Sequence, residues 1–282
     1  MNLSKEQNRE ENRKWLSRIR LIDDEFMSIC FDNYIEGAEL LLRIILERDD
    51  LKVTEVKTQQ TMKNLQGRDI RLDIYATDTA GKKYDIEIQR ADKGATLKRA
   101  RYHSSMIDAA MLKPGDDFSD LRDSYVIFIT ENDVLGLNEP IYHIDRTVKE
   151  GNVQMDDGAH IIYVNAAVKT KETALGRLMN DFYCTEAKDM CYKELSDRVR
   201  TYKESEKGAE DMGNVFDEFR KEIREQVRDE AINEGRNEGI NETRIENAIK
   251  LIARGKLSLE EIAEDTGLSI EKVRELAGNK SA

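Results

Sequence analysis

Two short segments of alternating polarity, separated by a glycine turn, constrain this chain more than any other feature in it. Residues 68–77 read RDIRLDIYAT, with Ile70, Leu72 and Ile74 at every second position. Residues 83–89 read KYDIEIQ, with Tyr84, Ile86 and Ile88 in the same rhythm. Period two is the strand period, because successive strand side chains point to opposite faces. The stretch between them, TDTAGKK, carries its turn at Thr79-Ala80-Gly81. Glycine reaches the left-handed backbone that closes a three-residue hairpin loop. That loop pairs 78 with 82 and therefore sets Asp73 opposite Glu87.

The rest of the chain supplies partners for the hairpin. From Leu16 to Arg48 the apolar residues mostly recur at helical spacing, and Asp49-Asp50 ends the run. Val53 and Val56 mark a strand. A helix is expected from Ala95 to Met111, stopped by Lys113-Pro114-Gly115. SYVIFIT (124–130) reads as a strand buried on both faces, and IYHI (141–144) and HIIYVN (160–165) as further strands. A helix over 171–183 closes this body. Helices and strands interleave, so the fold class is α/β (α+β).

After about residue 200 the composition shifts. Residues 203–247 carry 14 acidic and 8 basic side chains, and 233–244 repeat as NEGR-NEGI-NETR. Two readings stand: a solvated charged helix, or a helix whose Gly235 and Gly239 open a stripe for close approach and oligomerisation. Residues 257–276 read LSLEEIAEDTGLSIEKVREL and resemble a helix-turn-helix. Ser258 and Glu261 fit a capping box, Gly267 a helix stop and Ser269 a second cap. The second helix balances Glu271 and Glu275 against Lys272 and Arg274, so DNA reading and a small interaction or dimerisation role both remain open. The domain reading is a core over 1–202, a charged linker over 203–247 and a small module over 248–282.

Composition excludes several classes. With 45 Lys+Arg against 57 Asp+Glu, the net charge of −12 argues against a protein that coats nucleic acid unspecifically, though not against a local basic patch. The apolar run Leu40 to Leu46 is broken by Arg43 and far too short to span a bilayer. The N-terminus MNLSKEQNREENRKW has no apolar signal core. Cys30, Cys184 and Cys191 form neither a disulfide framework nor a zinc pattern. A reduced, cytoplasmic protein is expected.

Chemistry concentrates on the hairpin. Arg71, Asp73 and Tyr75 share one side of the first strand, as Asp85, Glu87 and Gln89 do on the second. Directly opposed residues have Cβ atoms about 5 Å apart, so Asp73 and Glu87 hold two carboxylates side by side. Such a pair suits a divalent cation such as Mg²⁺, which takes one or two carboxylates and keeps several waters. The competing reading is a solvent-facing strand with ordinary charges. Immediately downstream, Arg90, Lys93, Lys98, Arg99 and Arg101 face only Asp92, and Tyr102 and His103 follow. A basic helix leaving a metal site is where a phosphodiester backbone would lie. It is equally the pattern of a surface helix pairing with the chain's own acids.

The ordered set RLDIYATDTAGKKYDIEIQR, KRARYHSSMID and YVIFIT resembles the PD-(D/E)XK nuclease superfamily. More narrowly, it resembles the bacterial branch of recombination-promoting nucleases and transposases. NLQGRDIRLD, DDGAHIIYVN and the tail ending in IAEDTGLS fit the same pattern, so the resemblance spans nearly the whole chain. It implies a restriction-endonuclease-like mixed sheet flanked by helices, with a long helical C-terminal tail. It implies Mg²⁺-dependent hydrolysis of DNA phosphodiesters in recombination or mobile-element activity, with Mn²⁺ as a second candidate ion. Asp73, Glu87 and the carbonyl of Ile88 match the metal ligands. Gln89 falls where the superfamily often has a catalytic lysine; its amide does not titrate near neutral pH, so it would orient a water rather than deprotonate it. Lys98 or Lys93 would supply the missing cation. Glu39, or Glu36, would match an accessory acid on the first core helix, and Lys98, Arg99, Arg101 and Tyr102 would lie near DNA. The alternative is a catalytically weak nuclease-like protein that binds DNA or a protein partner and oligomerises through its tail.

Overall fold

The structure is a computed structural model that describes residues 14, 16–64, 67–91, 94–205 and 243–278. Residues 233–242 of the NEGR repeat, with Gly235 and Gly239, and Lys93 lie outside the described residues. The chain divides into two compact units, 1–214 and 215–282.

The first unit opens with α1 (Asp24–Phe31) and α2 (Ile35–Leu46). The single helical run expected from periodicity is thus two helices. They part at Asp32-Asn33, where Asn33 takes a left-handed φ of 50°. Asparagine tolerates that conformation better than most residues, because its short amide hydrogen-bonds locally.

The strands β1 (Val53–Met62), β2 (Ile70–Asp78), β3 (Lys83–Gln89), β4 (Ser124–Thr130), β5 (Ile141–Ile144) and β8 (Ala159–Asn165) form one mixed sheet. Its order is β1-β2-β3-β4-β8-β5. The first three strands run antiparallel, β3, β4 and β8 run parallel, and β5 returns antiparallel at the edge. A small hairpin of β6 (Arg146–Val148) and β7 (Val153–Met155) stands apart.

A parallel pair needs a crossover, and the β3–β4 crossover is α3 (Leu97–Met111), capped by Thr96. It lies over β4 and β8, while α1 and α2 pack against β1 and β2. Ala100, His103, Ser104 and Ile107 form the buried stripe of α3, at the i, i+3, i+4, i+7 spacing of a helix face. α4 (Ala174–Tyr183) and α5 (Lys193–Glu204) complete the unit, α5 adding a helix beyond those expected. In β4 every residue is buried except Tyr125, as a central strand covered on both faces requires. The result is the mixed sheet flanked by helices expected from the sequence, consistent with a restriction-endonuclease-like fold.

The hairpin register follows from the turn. Residues 74, 75, 76 and 77 pair with 86, 85, 84 and 83, the alignment that a loop pairing 78 with 82 imposes. Gly81 has φ 79°, and the Asp78 N–H donates to the Lys82 carbonyl at 3.2 Å. The Asp78 carboxylate reinforces the turn by accepting from the N–H groups of Ala80 and Lys82 at 2.9 Å each.

The second unit contains helical residues 243–254, α6 (Leu259–Thr266) and α7 (Ile270–Gly278). Ser258 and Glu261 form the capping box, and Gly267 ends α6 at φ 66°. Ser269 accepts from the Lys272 N–H at 3.3 Å. Ala248, Ile262 and Val273 make a small buried core. On α7, Lys272 pairs with Glu275 and Arg274 with Glu260. No described helix is long and apolar enough to cross a membrane. The three cysteines carry free thiols.

Ile127 sits fully buried at the centre of β4. Ile127→Ala should lower the unfolding free energy by about 2–5 kcal/mol, measured by urea denaturation.

Candidate active site

The sheet is irregular at Asp73. Toward β3 the paired positions stop at Ile74 and Ile86. Toward β1 they pass from Thr58–Ile74 to Gln60–Leu72, and the intervening Gln59 takes a left-handed φ of 54°. A non-glycine residue there is strained, and such strain collects at functional sites. Where the ladder stops, the acids bridge the strands. The Asp73 N–H donates to Glu87 Oε1 at 3.1 Å, and the Ile88 N–H donates to Asp73 Oδ2 at 2.9 Å. Each carboxylate therefore holds the other strand's backbone. The Gln89 carbonyl accepts from the Glu131 N–H on the β4 side at 3.0 Å. Strand residues alternate in direction, so the Ile88 carbonyl faces β2, as its N–H does.

This face is not open to solvent. Asp85 and Glu87 are fully buried and Asp73 is 7% exposed. Burial pushes the Asp73 and Asp85 carboxyls well above the usual carboxylate range. Burial, with the Asp85 charge second, pushes Glu87 up to about 8. Three buried acids without enough positive charge would stay partly protonated, because desolvation penalises the charged form.

Arg99 supplies the cation that is present. Its Nη2 donates to Glu87 Oε2 at 2.8 Å, its Nη1 to Gln89 Oε1 at 3.4 Å and to the Gly94 carbonyl at 3.2 Å. Its Nε donates to His103 Nε2 at 3.3 Å. An imidazole that accepts at Nε2 carries its proton on Nδ1, so His103 donates to Asp85 Oδ2 at 2.8 Å. Burial lowers the His103 pKa, which favours this neutral form. The second oxygen of Asp85, Oδ1, is buried with no hydrogen-bond partner.

The donors fit a divalent cation. The set Asp73, Glu87 and the Ile88 carbonyl offers hard oxygens beside uncompensated buried charge. A second grouping, Asp85, Glu87 and His103, places its ligand atoms within 4.8 Å of one another. In the arrangement seen, both His103 nitrogens are already engaged, one with Asp85 and one with Arg99.

The structure brings Asp73, Glu87, Ile88, Gln89 and Arg99 together. It turns Lys98 and Arg101 to the exposed face of α3, where neither forms an ion pair among the described residues. The cation beside Gln89 is thus Arg99, one residue from the expected Lys98, because residue 99 is the one that faces β3. Tyr102 holds the loop after β1: its O–H donates to the Arg68 carbonyl at 2.6 Å and accepts from Asn64 Nδ2 at 3.0 Å. Glu39 is not brought to the site. Its carboxylate accepts from the Val53 N–H at 3.0 Å and pairs with Arg43 and Lys52, at the opposite end of β1 from Gln59. Glu36 is exposed in the first turn of α2.

Three participants were not singled out as site residues in the sequence. Asp85 and His103 meet only when α3 is laid over β3, though a histidine within the apolar stripe 100/103/104/107 is a signal. Asp24, in the first turn of α1, adds its charge to burial and the Glu87 charge in raising the Asp73 pKa, and its own pKa is raised by burial against the lowering charges of Arg71 and Arg99. It is the acid of the first helical segment that the site feels.

A native Glu87 that holds its proton up to about pH 8, against 4.5 for an unperturbed carboxyl, binds more protons than the unfolded chain in that interval. Stability of the metal-free protein should therefore fall as pH rises from about 5 to 8. Glu87→Gln should flatten that fall and stabilise the metal-free protein at pH 8 by on the order of 2 kcal/mol, measured by chemical denaturation. An unchanged pH profile would show that Glu87 is not the buried proton carrier.

A family model described as PD-(D/E)XK nuclease family transposase matches residues 39–180. No curated protein and no solved structure matches the chain.

Proposed function

The chain belongs to the PD-(D/E)XK nuclease family transposases, and from that premise we propose that it is a divalent-metal-dependent DNA endonuclease acting in recombination or mobile-element biology. The observation that carries this reading is the crossed pair of hydrogen bonds at the open end of the hairpin. It holds Asp73 and Glu87 together, buried, with more negative charge than Arg99 alone offsets.

Asp73, Glu87 and the Ile88 carbonyl hold the ion, Mg²⁺ being the favoured occupant and Mn²⁺ the second. When bound, the ion polarises the scissile phosphate and makes water a stronger nucleophile. The remaining tasks fall to the protein. Gln89, fixed by Arg99, presents its amide to orient the attacking water. Arg99 is 38% exposed on its side chain and lies at the mouth of the acids. It holds the Glu87 carboxyl in place and offers its one remaining N–H, on Nη2, to charge that develops on phosphate oxygens. Asp24, rather than Glu39, serves as the accessory acid at the rim. Lys98 and Arg101 face outward from the same helix and contact the DNA backbone. The domain reading is retained: a catalytic core over 1–202, a charged linker and a small C-terminal module.

The substitution of Gln89 for lysine favours one second reading, a nuclease-like fold that binds DNA without cutting it. Cleavage decides between the two. Purified protein should nick supercoiled plasmid with Mg²⁺ or Mn²⁺, and Asp73→Ala or Glu87→Ala should abolish it. Arg99→Ala should cost about 10²–10³-fold in cleavage rate, the usual loss for one preorganised donor. Binding without cleavage by the unmodified chain in either ion would establish the second reading.

Gly94 tests the role of Gln89. A Cβ at this position would overlap Gln89 Oε1, so the glycine allows the carboxamide its place. Gly94→Ala should lower the cleavage rate by about 100-fold with the thermal midpoint little changed, because a displacement of about 1 Å costs that much in positioning. Equal rates would remove Gln89 from the mechanism.

A further inference from the structure

The carboxyl ends of β3, β4 and β8 carry a second cluster of charge beyond the acids. Arg90 directly follows β3, Glu131 follows β4, and Lys169 lies shortly after β8. Beside Arg90 is a cleft of about 710 Å³, lined by Ser17, Arg18, Arg20, Asp23, Arg90 and Thr185, with Glu25 as a further acid in its wall.

Two carboxylates fix the arginines. Asp23, 13% exposed on its side chain, accepts from the Arg20 N–H at 2.8 Å and pairs with Arg20 Nη2 at 3.3 Å and Arg90 Nη1 at 2.9 Å. Glu131 accepts from Arg90 Nε at 3.1 Å. Arg20 is thereby anchored through one edge of its guanidinium and Arg90 through Nε and Nη1, and Arg90 keeps a 53% exposed side chain. Arg18 is exposed and unpaired among the described residues. The Tyr183 ring carries Lys169 Nζ at 3.7 Å and the Arg20 guanidinium at 5.3 Å. Four cations thus gather at one edge, and two of the nearby acids are spent in orienting them.

We propose that Arg18, Arg20, Arg90 and Lys169 form a cradle for backbone phosphates of the strand flanking the cleaved bond. The proposal rests on the nuclease reading and extends it. Arg90 is the residue after Gln89, so a strand whose scissile phosphate sits at the acids continues directly onto this edge. Guanidinium groups oriented by carboxylates suit phosphate, since their planar forks offer paired donors at fixed geometry. The cradle lies off the α3 surface that presents Lys98 and Arg101, and so gives the substrate a second anchor.

Arg20 and Arg90 hold the poorly exposed Asp23, and replacing them risks the fold. The test therefore uses the double variant Arg18→Gln/Lys169→Gln in the full chain. A control, Lys57→Gln/Lys193→Gln, changes the net charge equally at exposed sites elsewhere. Binding of a short fluorescent DNA duplex is followed by anisotropy in the Glu87→Gln background with Mg²⁺, across a series of KCl concentrations. The cradle variant should bind several-fold more weakly, and its slope of log affinity against log salt should fall by about 2, one per lost phosphate contact. The control should keep the parental slope. Equal slopes in the two double variants, with DNA still bound, would overturn the cradle and leave the nuclease reading standing. If the duplex fails to bind and the unmodified chain also fails to cut plasmid, both readings fall together.

Discussion

The burial of three carboxylates beneath one helix governs the rest of this structure. Asp73, Asp85 and Glu87 lie on the sheet face that α3 covers, and a charge taken out of water costs free energy unless it is paired. Arg99 and His103, both on α3, answer that cost: the guanidinium meets Glu87 and the imidazole meets Asp85. They are one turn apart on the helix and bonded to each other, so α3 docks through polar contacts in its N-terminal half. Toward its C-terminus the docking is apolar, through Met106 and Ile107 with Val126, Phe128 and Tyr163. The helix that caps the core is therefore also the helix that sets the electrostatics of the site.

That arrangement leaves charge uncompensated, and the shifted acids record it. A fold selected for stability alone would put apolar residues at Asp85 and Glu87, since replacing buried ionic groups with well-packed hydrophobic ones is often stabilising. The local strain points the same way. At Asp73 the β1–β2 ladder passes through the left-handed Gln59, and the β2–β3 ladder is replaced by side-chain bonds. The interruption leaves the Ile88 N–H to the Asp73 carboxylate instead of to a strand carbonyl. Stability has been given up around one point, the point at which we propose that a cation is held.

The net charge of −12 conceals this layout. Residues 203–247 contribute much of the negative total, while the core separates its charges. Acids are buried at the end of the hairpin, and cations occupy the exposed face of α3 and the carboxyl edge of the parallel strands. Contact with a polyanion would be local and sensitive to salt, because exposed cations are screened within about 8–10 Å.

The sequence by itself determined what depends on neighbours along the chain. Strand alternation and the Gly81 turn set the register that places Asp73 by Glu87, because side-chain parity and loop length leave one alignment. Continuous apolarity marked β4 as a central strand, and the Ser258–Glu261 box and Gly267 marked the helices of the C-terminal unit. Tertiary structure decided which charge meets which. Lys98 and Arg99 are equivalent as letters, and only the rotation of α3 against β3 turns Arg99 to Glu87 and leaves Lys98 outside. Glu39 and Asp24 are both acids on early helices, and only the packing of α1 and α2 sends Glu39 to the Val53 N–H and leaves Asp24 within electrostatic reach of Asp73. Asp85 and His103 are 18 residues apart and belong to different kinds of element. Their pairing exists because a parallel crossover must fold back over its own sheet, and no local pattern encodes the distance it closes.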